Sequence, residues 1–181
     1  MTIKIVTQGA TLSLPEYTVG KASATCIYPG IAQCFAIAGW TPSGMLCTHV
    51  SPGATGDDLD ATFQALLGMG GAHATSWYVV GPFTDHFAVK KAQWRSSRAI
   101  SKAFDAALGK KSTADRFILD VTVDRRQQVL EQGFTIPRTF NSIDIRAEHR
   151  GWESLIAFSY KEGSPKVIDW TRLAWSRFVR F

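Results

Sequence analysis

Residues 34–50, CFAIAGWTPSGMLCTHV, place two apolar runs of strand length on either side of a Pro-Ser-Gly break. An antiparallel hairpin satisfies that pattern, with the break as its turn. The runs have no polar face, so the hairpin belongs in the interior of a sheet. Two similar runs come earlier, IKIV at 3–6 and ATCIY at 24–28, and Pro or Gly signals at Pro15, Pro29-Gly30 and Pro52-Gly53 separate these segments. Strands therefore lead the chain before any helical pattern begins.

Beyond the hairpin, Thr55 followed by Asp58 forms a helix-starting signal. Leu59, Phe63, Leu66 and Leu67 then recur at helical spacing until GMGG, which predicts an amphipathic helix over 57–69. SWYVVGPF at 76–83 returns to strand. Residues 86–108 carry Ile100, Phe104 and Leu108 on one helical stripe, with Lys90, Lys91, Arg95, Arg98 and Lys102 on a solvated basic side. RFILDVTV at 116–123 reads as a strand, 127–133 as a short helix stopped by Gly133, 134–151 as a loop facing a substrate, and SLIAFSY at 154–160 as a strand. The tail IDWTRLAWSRFVRF reads as a terminal element closing the core, with arginine stems over aromatic faces. Interleaved strands and helices, with four strands first, give an α/β or α+β class: a mixed, largely antiparallel β-sandwich core with flanking helices.

The 181 residues, 45% hydrophobic and 19% charged, suffice for one well-packed core, and no linker or repeat divides residues 1–181. No apolar run approaches the ~18 residues of a membrane span, and the start MTIKIVTQGA has no basic-then-apolar signal pattern, so synthesis in the cytosol is expected. Three cysteines are an odd count without a framework, which favours reduced thiols over disulfides. A net charge of +5 favours an acidic partner, but the cations are dispersed and no nucleic-acid-binding signature accompanies them.

The chemistry-bearing pair in the hairpin is Cys34 and His49. Residues equidistant from a hairpin turn face each other, and these two lie at similar distances from Pro42, so the strands bring a thiol and a base together. The turn YPGIAQ leads into Cys34 and would leave the thiol at a strand's first residue, near solvent. Histidine can take the thiol proton, and the main-chain N–H groups of Cys34 and Gln33 can receive an oxyanion. Cys47, two residues before His49, is a second candidate nucleophile, although the roughly 7 Å between i and i+2 positions hampers a direct bond. Cys26 reads as core. Cys34, Cys47 and His49 could also ligate zinc, but no metal-ligand spacing supports such a set, and neither metal nor cofactor is expected. His73 and His149 read as loop residues, and Asp85 beside His86 as the start of the long helix.

GIAQC at 30–34, GMLCTHVSPG at 44–53, the helix after it and VVGPF at 79–83 together resemble the CheD and cytotoxic necrotizing factor group of protein glutamine deamidases, over roughly residues 23–83. The resemblance implies a β-sandwich with flanking helices and a Cys-His pair that hydrolyses a glutamine side-chain amide in a target protein. It assigns Cys34 as nucleophile and His49 as base, with either Thr25 or a main-chain carbonyl orienting the imidazole. It also implies a bacterial effector acting inside another cell, or a housekeeping enzyme acting on chemoreceptors. The same dyad would serve a cysteine peptidase or a transglutaminase-like acyl transferase, and the non-catalytic alternative is a basic module binding an acidic protein or nucleic acid. A primed Cys34 would be alkylated well below the pH that ordinary thiols require.

Overall fold

The computed structural model describes residues 4–5, 9–51, 53–82, 102, 104–106, 114–120, 143–150, 153–159, 161–162, 166–167, 171–172 and 179–180. Residues 4–5 and everything from 153 onward are described as strand backbone. The elements are β1 (Lys4–Ile5), β2 (Gly9–Ser13), β3 (Thr18–Ile31), β4 (Phe35–Thr41), β5 (Gly44–Val50), α1 (Gly56–Gly68), a 3-10 turn (Gly71–His73), β6 (Ser76–Gly81), β7 (Asp115–Asp120), β8 (Ile143–Arg150), β9 (Glu153–Ser159), β10 (Lys161–Glu162), β11 (Lys166–Val167), β12 (Thr171–Arg172) and β13 (Val179–Arg180). The fold is α+β, built on a mixed sheet.

The predicted hairpin is present. β4 and β5 pair from Phe35–Val50 to Thr41–Gly44, leaving Pro42 and Ser43 as the turn. Gly44 has φ +132°, and a Cβ there would lie 2.5 Å from the Ala22 carbonyl oxygen, so the turn requires glycine. β6 joins β4 antiparallel, and β7 joins β6 parallel.

Strand β3 extends far beyond the run at 24–28. Its first half pairs with β5 and its second half with β8, while β1 and β2 lie parallel along it. Pro29-Gly30, read from the sequence as a turn, is an irregularity inside this strand, where the register with β8 shifts between Tyr28 and Ile31. Proline has no N–H for the ladder, and Gly30, at φ +66°, donates its own N–H to Asp144 Oδ1 at 2.8 Å.

Because β4 is buried on both faces, each face meets a separate core. Phe35, Ile37, Leu46, Val50, Trp77 and Val79 pack beneath α1 through Leu59, Phe63 and Leu66, and Phe104 joins them. Ala36, Ala38, Trp40, Met45, Cys47, Tyr78 and Val80 face Cys26, Tyr28 and Ile31 of β3 and Ile145 and Ala147 of β8. This second core is the inside of the sandwich. The strand path runs β12-β9-β8-β3-β5-β4-β6-β7-β13. Laid flat, its eight spacings of about 4.8 Å would separate the outer strands by roughly 38 Å. Arg172 and Val179 are only seven residues apart and so lie within about 25 Å. The sheet therefore curls back on itself, and the tail provides backbone pairs at both edges, with β9 and with β7.

Helix α1 begins as its sequence predicts. The Thr55 hydroxyl accepts from the Asp58 N–H at 3.2 Å, and the Asp58 carboxylate accepts from the Thr55 N–H at 2.9 Å. The segment 134–151 is corrected in its second part: residues 143–150 are strand β8, paired on both edges with β3 and β9, and His149 is a strand residue whose Nε2 lies 3.2 Å from the Thr41 carbonyl. The short helix at 127–133 and the Asp85-His86 pair lie outside the described residues, as does most of the helix over 86–108. Within that last segment Lys102 and residues 104–106 are helical, and Phe104 is buried as its stripe requires.

Candidate active site

The open end of the β4–β5 hairpin carries the cluster. Ala36, rather than Cys34, stands opposite His49, because the turn is centred between Pro42 and Ser43. Cys34 lies two residues further out, just before β4, on the same face and diagonal to His49. It is buried, at 4% exposure, in contrast to the near-solvent thiol the sequence suggests; Gln33 beside it is exposed.

A third residue completes the group. Glu16 sits in the turn between β2 and β3, which is tied down on three sides. The Leu14 N–H donates to the Ile27 carbonyl at 2.8 Å, the Tyr17 N–H donates to the His49 carbonyl at 2.9 Å, and the Thr18 hydroxyl donates to the Pro15 carbonyl. Tyr17 adopts φ +60°, an uncommon conformation for a bulky side chain, in the turn immediately after Glu16. The Cys34 thiol donates to Glu16 Oε1 at 3.1 Å. One donor atom each from Glu16, Cys34 and His49 lie within 4.8 Å of one another.

His49 is 2% exposed, and its Nδ1 lies 2.8 Å from the Leu14 carbonyl oxygen. A carbonyl only accepts, so Nδ1 carries the proton and Nε2 holds the lone pair. Among the described residues Nε2 has no hydrogen-bond partner. Burial lowers the His49 pKa from its ordinary value, opposed by the bond to Leu14 and the charge of Glu16. The Cys34 thiol is pushed up to about 12, first by burial and then by its bond to Glu16 and that carboxylate's charge, while the Gln33 main-chain N–H at the sulfur pulls the other way. At neutral pH the resting state is a thiol beside a neutral imidazole. Cys34 is therefore not primed for alkylation below the ordinary range.

The other candidates fall elsewhere. Thr25 pairs with Thr11 of β2 and Glu148 of β8, and the Nδ1 of His49 meets the Leu14 carbonyl instead of the Thr25 hydroxyl. The group that orients His49 is the Leu14 carbonyl. Cys47 and Cys26 are fully buried in the inner core beside Tyr28, and burial foremost raises the Cys26 pKa well above its ordinary value. All three cysteines are free. A cleft of about 400 Å³ lined by Gly9, Lys21, Ser23 and Ser43 adjoins the hairpin's turn, away from the cluster. His73 is exposed in the 3-10 turn.

Glu16 escaped the sequence reading. It precedes Cys34 by 18 residues in a Pro-Glu-Tyr turn, with no local pattern that points to a thiol. Fold and site together define an α+β chain with a buried thiol and imidazole beside an exposed carboxylate at one end of its sandwich. No protein-family model, curated protein or solved structure matches the chain. Among the described residues no helix is long and apolar enough to cross a membrane.

Proposed function

We propose that this protein is a cysteine-dependent amidohydrolase that deamidates a glutamine side chain of a protein substrate. The observation that supports the reading best is the setting of His49: a main-chain carbonyl accepts from Nδ1–H, which leaves the lone pair on Nε2, and a ring nitrogen of this imidazole lies within 4.8 Å of the Cys34 sulfur. A base oriented by a third group next to a thiol is what nucleophilic acyl chemistry requires.

On this reading the substrate carboxamide enters past the exposed Gln33 and Glu16. The Cys34 sulfur attacks the amide carbon, and His49 takes the thiol proton, then delivers it to the departing ammonia. Water activated by His49 hydrolyses the thioester, giving glutamate and the free thiol. The main-chain N–H groups of Gln33 and Cys34 receive the oxyanion. The thiol and imidazole are not directly bonded at rest, and substrate binding draws them together as it takes Glu16 away from the sulfur. A net charge of +5 suits an acidic target surface. The site of action follows the resemblance: the cytosol of the producing cell, or a second cell into which the protein is delivered.

Mass spectrometry of acidic candidate proteins incubated with wild type and with Cys34→Ser tests the reading. The expected result is a gain of about 1 Da at a glutamine, with ammonia release, that requires Cys34 and His49 and persists in Cys47→Ser. Cleavage or cross-linking that depends on Cys34 would replace deamidation by peptidase or transferase chemistry. Equal conversion by Cys34→Ser would remove the nucleophile and the proposal with it.

A further inference from the structure

We propose that Glu16, Cys34 and His49 form a zinc-binding site, in which the ion takes the Cys34 sulfur, the free nitrogen lone pair of His49 and a Glu16 carboxylate oxygen, with a water in the fourth position. A ring nitrogen of His49, the Cys34 sulfur and a Glu16 carboxylate oxygen lie within 4.8 Å of one another, and Cys34 Sγ to Glu16 Oε1 is 3.1 Å. Bonds of about 2.0–2.3 Å to a tetrahedral zinc place donors roughly 3.3–3.8 Å apart, so closure requires the side chains to draw inward and the imidazole to present Nε2. Glu16 is exposed and can move inward.

Two further observations favour an ion here. Nε2 of His49 is buried without a hydrogen-bond partner among the described residues, and an unsatisfied buried polar atom carries a cost that a metal bond removes. Nδ1, bonded to the Leu14 carbonyl, already has the outer hydrogen bond that ligating imidazoles use to fix their tautomer. Donor chemistry selects the metal. Sulfur and nitrogen exclude magnesium and calcium, which take oxygen ligands, whereas a mixed sulfur, nitrogen and oxygen set with three protein ligands suits zinc. Charge also balances: Cys34 loses its proton to solvent as the S–Zn bond forms, and thiolate plus carboxylate neutralise the dication, so no net charge is left in a largely buried place. Binding therefore releases a proton and tightens as pH rises.

The binding claim stands on geometry. Its consequence rests on the deamidase reading: zinc occupies the nucleophile and the base together and so caps the enzyme reversibly.

Cobalt(II), which reports thiolate ligation by a near-ultraviolet charge-transfer band and tetrahedral geometry by intense visible bands, is the probe. Untagged, reduced protein is titrated with it and then with zinc. The expected result is one cobalt per chain with both signals, displaced by zinc, lost in Cys34→Ser, unchanged in Cys47→Ser, and weakened at least tenfold in Glu16→Gln. Glu16 is exposed, so that last variant tests the site even if a His49 replacement fails to fold. Absence of the signals, their persistence in Cys34→Ser, or unaltered affinity in Glu16→Gln would overturn the three-ligand site. Zinc inhibition reversed by a chelator would support the capping role. A chain that binds cobalt as described but deamidates nothing would keep the metal site and remove the deamidase reading.

Discussion

Glu16→Gln should make Cys34 react faster. The thiol stands at about 12 against an ordinary 9.0, so at pH 8 its thiolate is about one part in ten thousand, where an unperturbed thiol would have roughly a tenth. Burial is the leading cause and survives the substitution; the carboxylate's charge does not. A unit charge about 4 Å away is worth about 4 kcal/mol at an effective dielectric of 20 and about 1 kcal/mol in water. Glu16 is exposed, so the lower figure applies, and about 1.4 kcal/mol corresponds to one pKa unit. The variant should thus carry about five times more thiolate at every pH below its pKa. Glutamine keeps the shape of glutamate, so access to the sulfur is preserved. The assay is iodoacetamide labelling from pH 7 to pH 11, with the modified peptide assigned to Cys34 by mass spectrometry and folding checked by thermal melting. In wild type the logarithm of the rate should climb with unit slope and show no plateau in this range; in Glu16→Gln the line should lie about 0.7 log unit higher. A wild-type plateau near pH 9, or coincident lines, would refute the account of how this thiol is held.

Two more predictions concern stability. The His49 pKa is lowered in the fold, chiefly by burial, so the unfolded chain binds the extra proton more readily; the stability from keeping this imidazole neutral is full above the ordinary 6.5 and is lost as pH falls below it. Thermal melts between pH 7 and pH 5 should show a larger loss for wild type than for His49→Gln, and parallel profiles would contradict that. Gly39→Ala would put a Cβ about 2.5 Å from the Trp77 ring in the core beneath α1, and should cost about 1–3 kcal/mol by denaturant titration; an unchanged midpoint would show that the ring has room to move.

What the sequence discloses here depends on whether burial or pairing makes an element. The β4–β5 hairpin and α1 are legible because their residues are apolar at the right period and their ends carry turn and cap chemistry. β8 was hidden by its composition. IDIRAEHR alternates, with Ile145 and Ala147 facing inward, but Asp144, Arg146, Glu148 and His149 give it a polar surface that reads as loop. Some of those polar residues are paired: Arg146 Nε lies 2.7 Å from Glu148 Oε1, and Asp144 accepts from Gly30. The length of β3 was hidden for a similar reason, since Pro29-Gly30 marks an irregularity in a strand as readily as a turn. In the site, the proximity of Cys34 and His49 is a matter of hairpin register. Glu16 and the Leu14 carbonyl reach them only through the turn before β3, whose anchoring bonds join residues with no sequence pattern in common.

An acidic side chain beside the sulfur proposed as nucleophile is understood once the charges are counted over the proposed reaction. Moving the proton from Cys34 to His49 with Glu16 in place would leave a thiolate next to a carboxylate in a largely buried site, which the local electrostatics oppose. The substrate must therefore engage Glu16 before the sulfur can ionise. A carboxamide suits this, because its NH₂ offers two donors and no charge, so Glu16 exchanges the thiol for the substrate. The product offers the opposite. A glutamate side chain is acceptor-only and negatively charged, and it meets Glu16 with like charge and no donor. On this chemistry one residue at the rim restrains the thiol at rest, admits the amide and expels the acid. In the proposed reaction this arrangement would favour turnover at neutral pH over a permanently reactive cysteine.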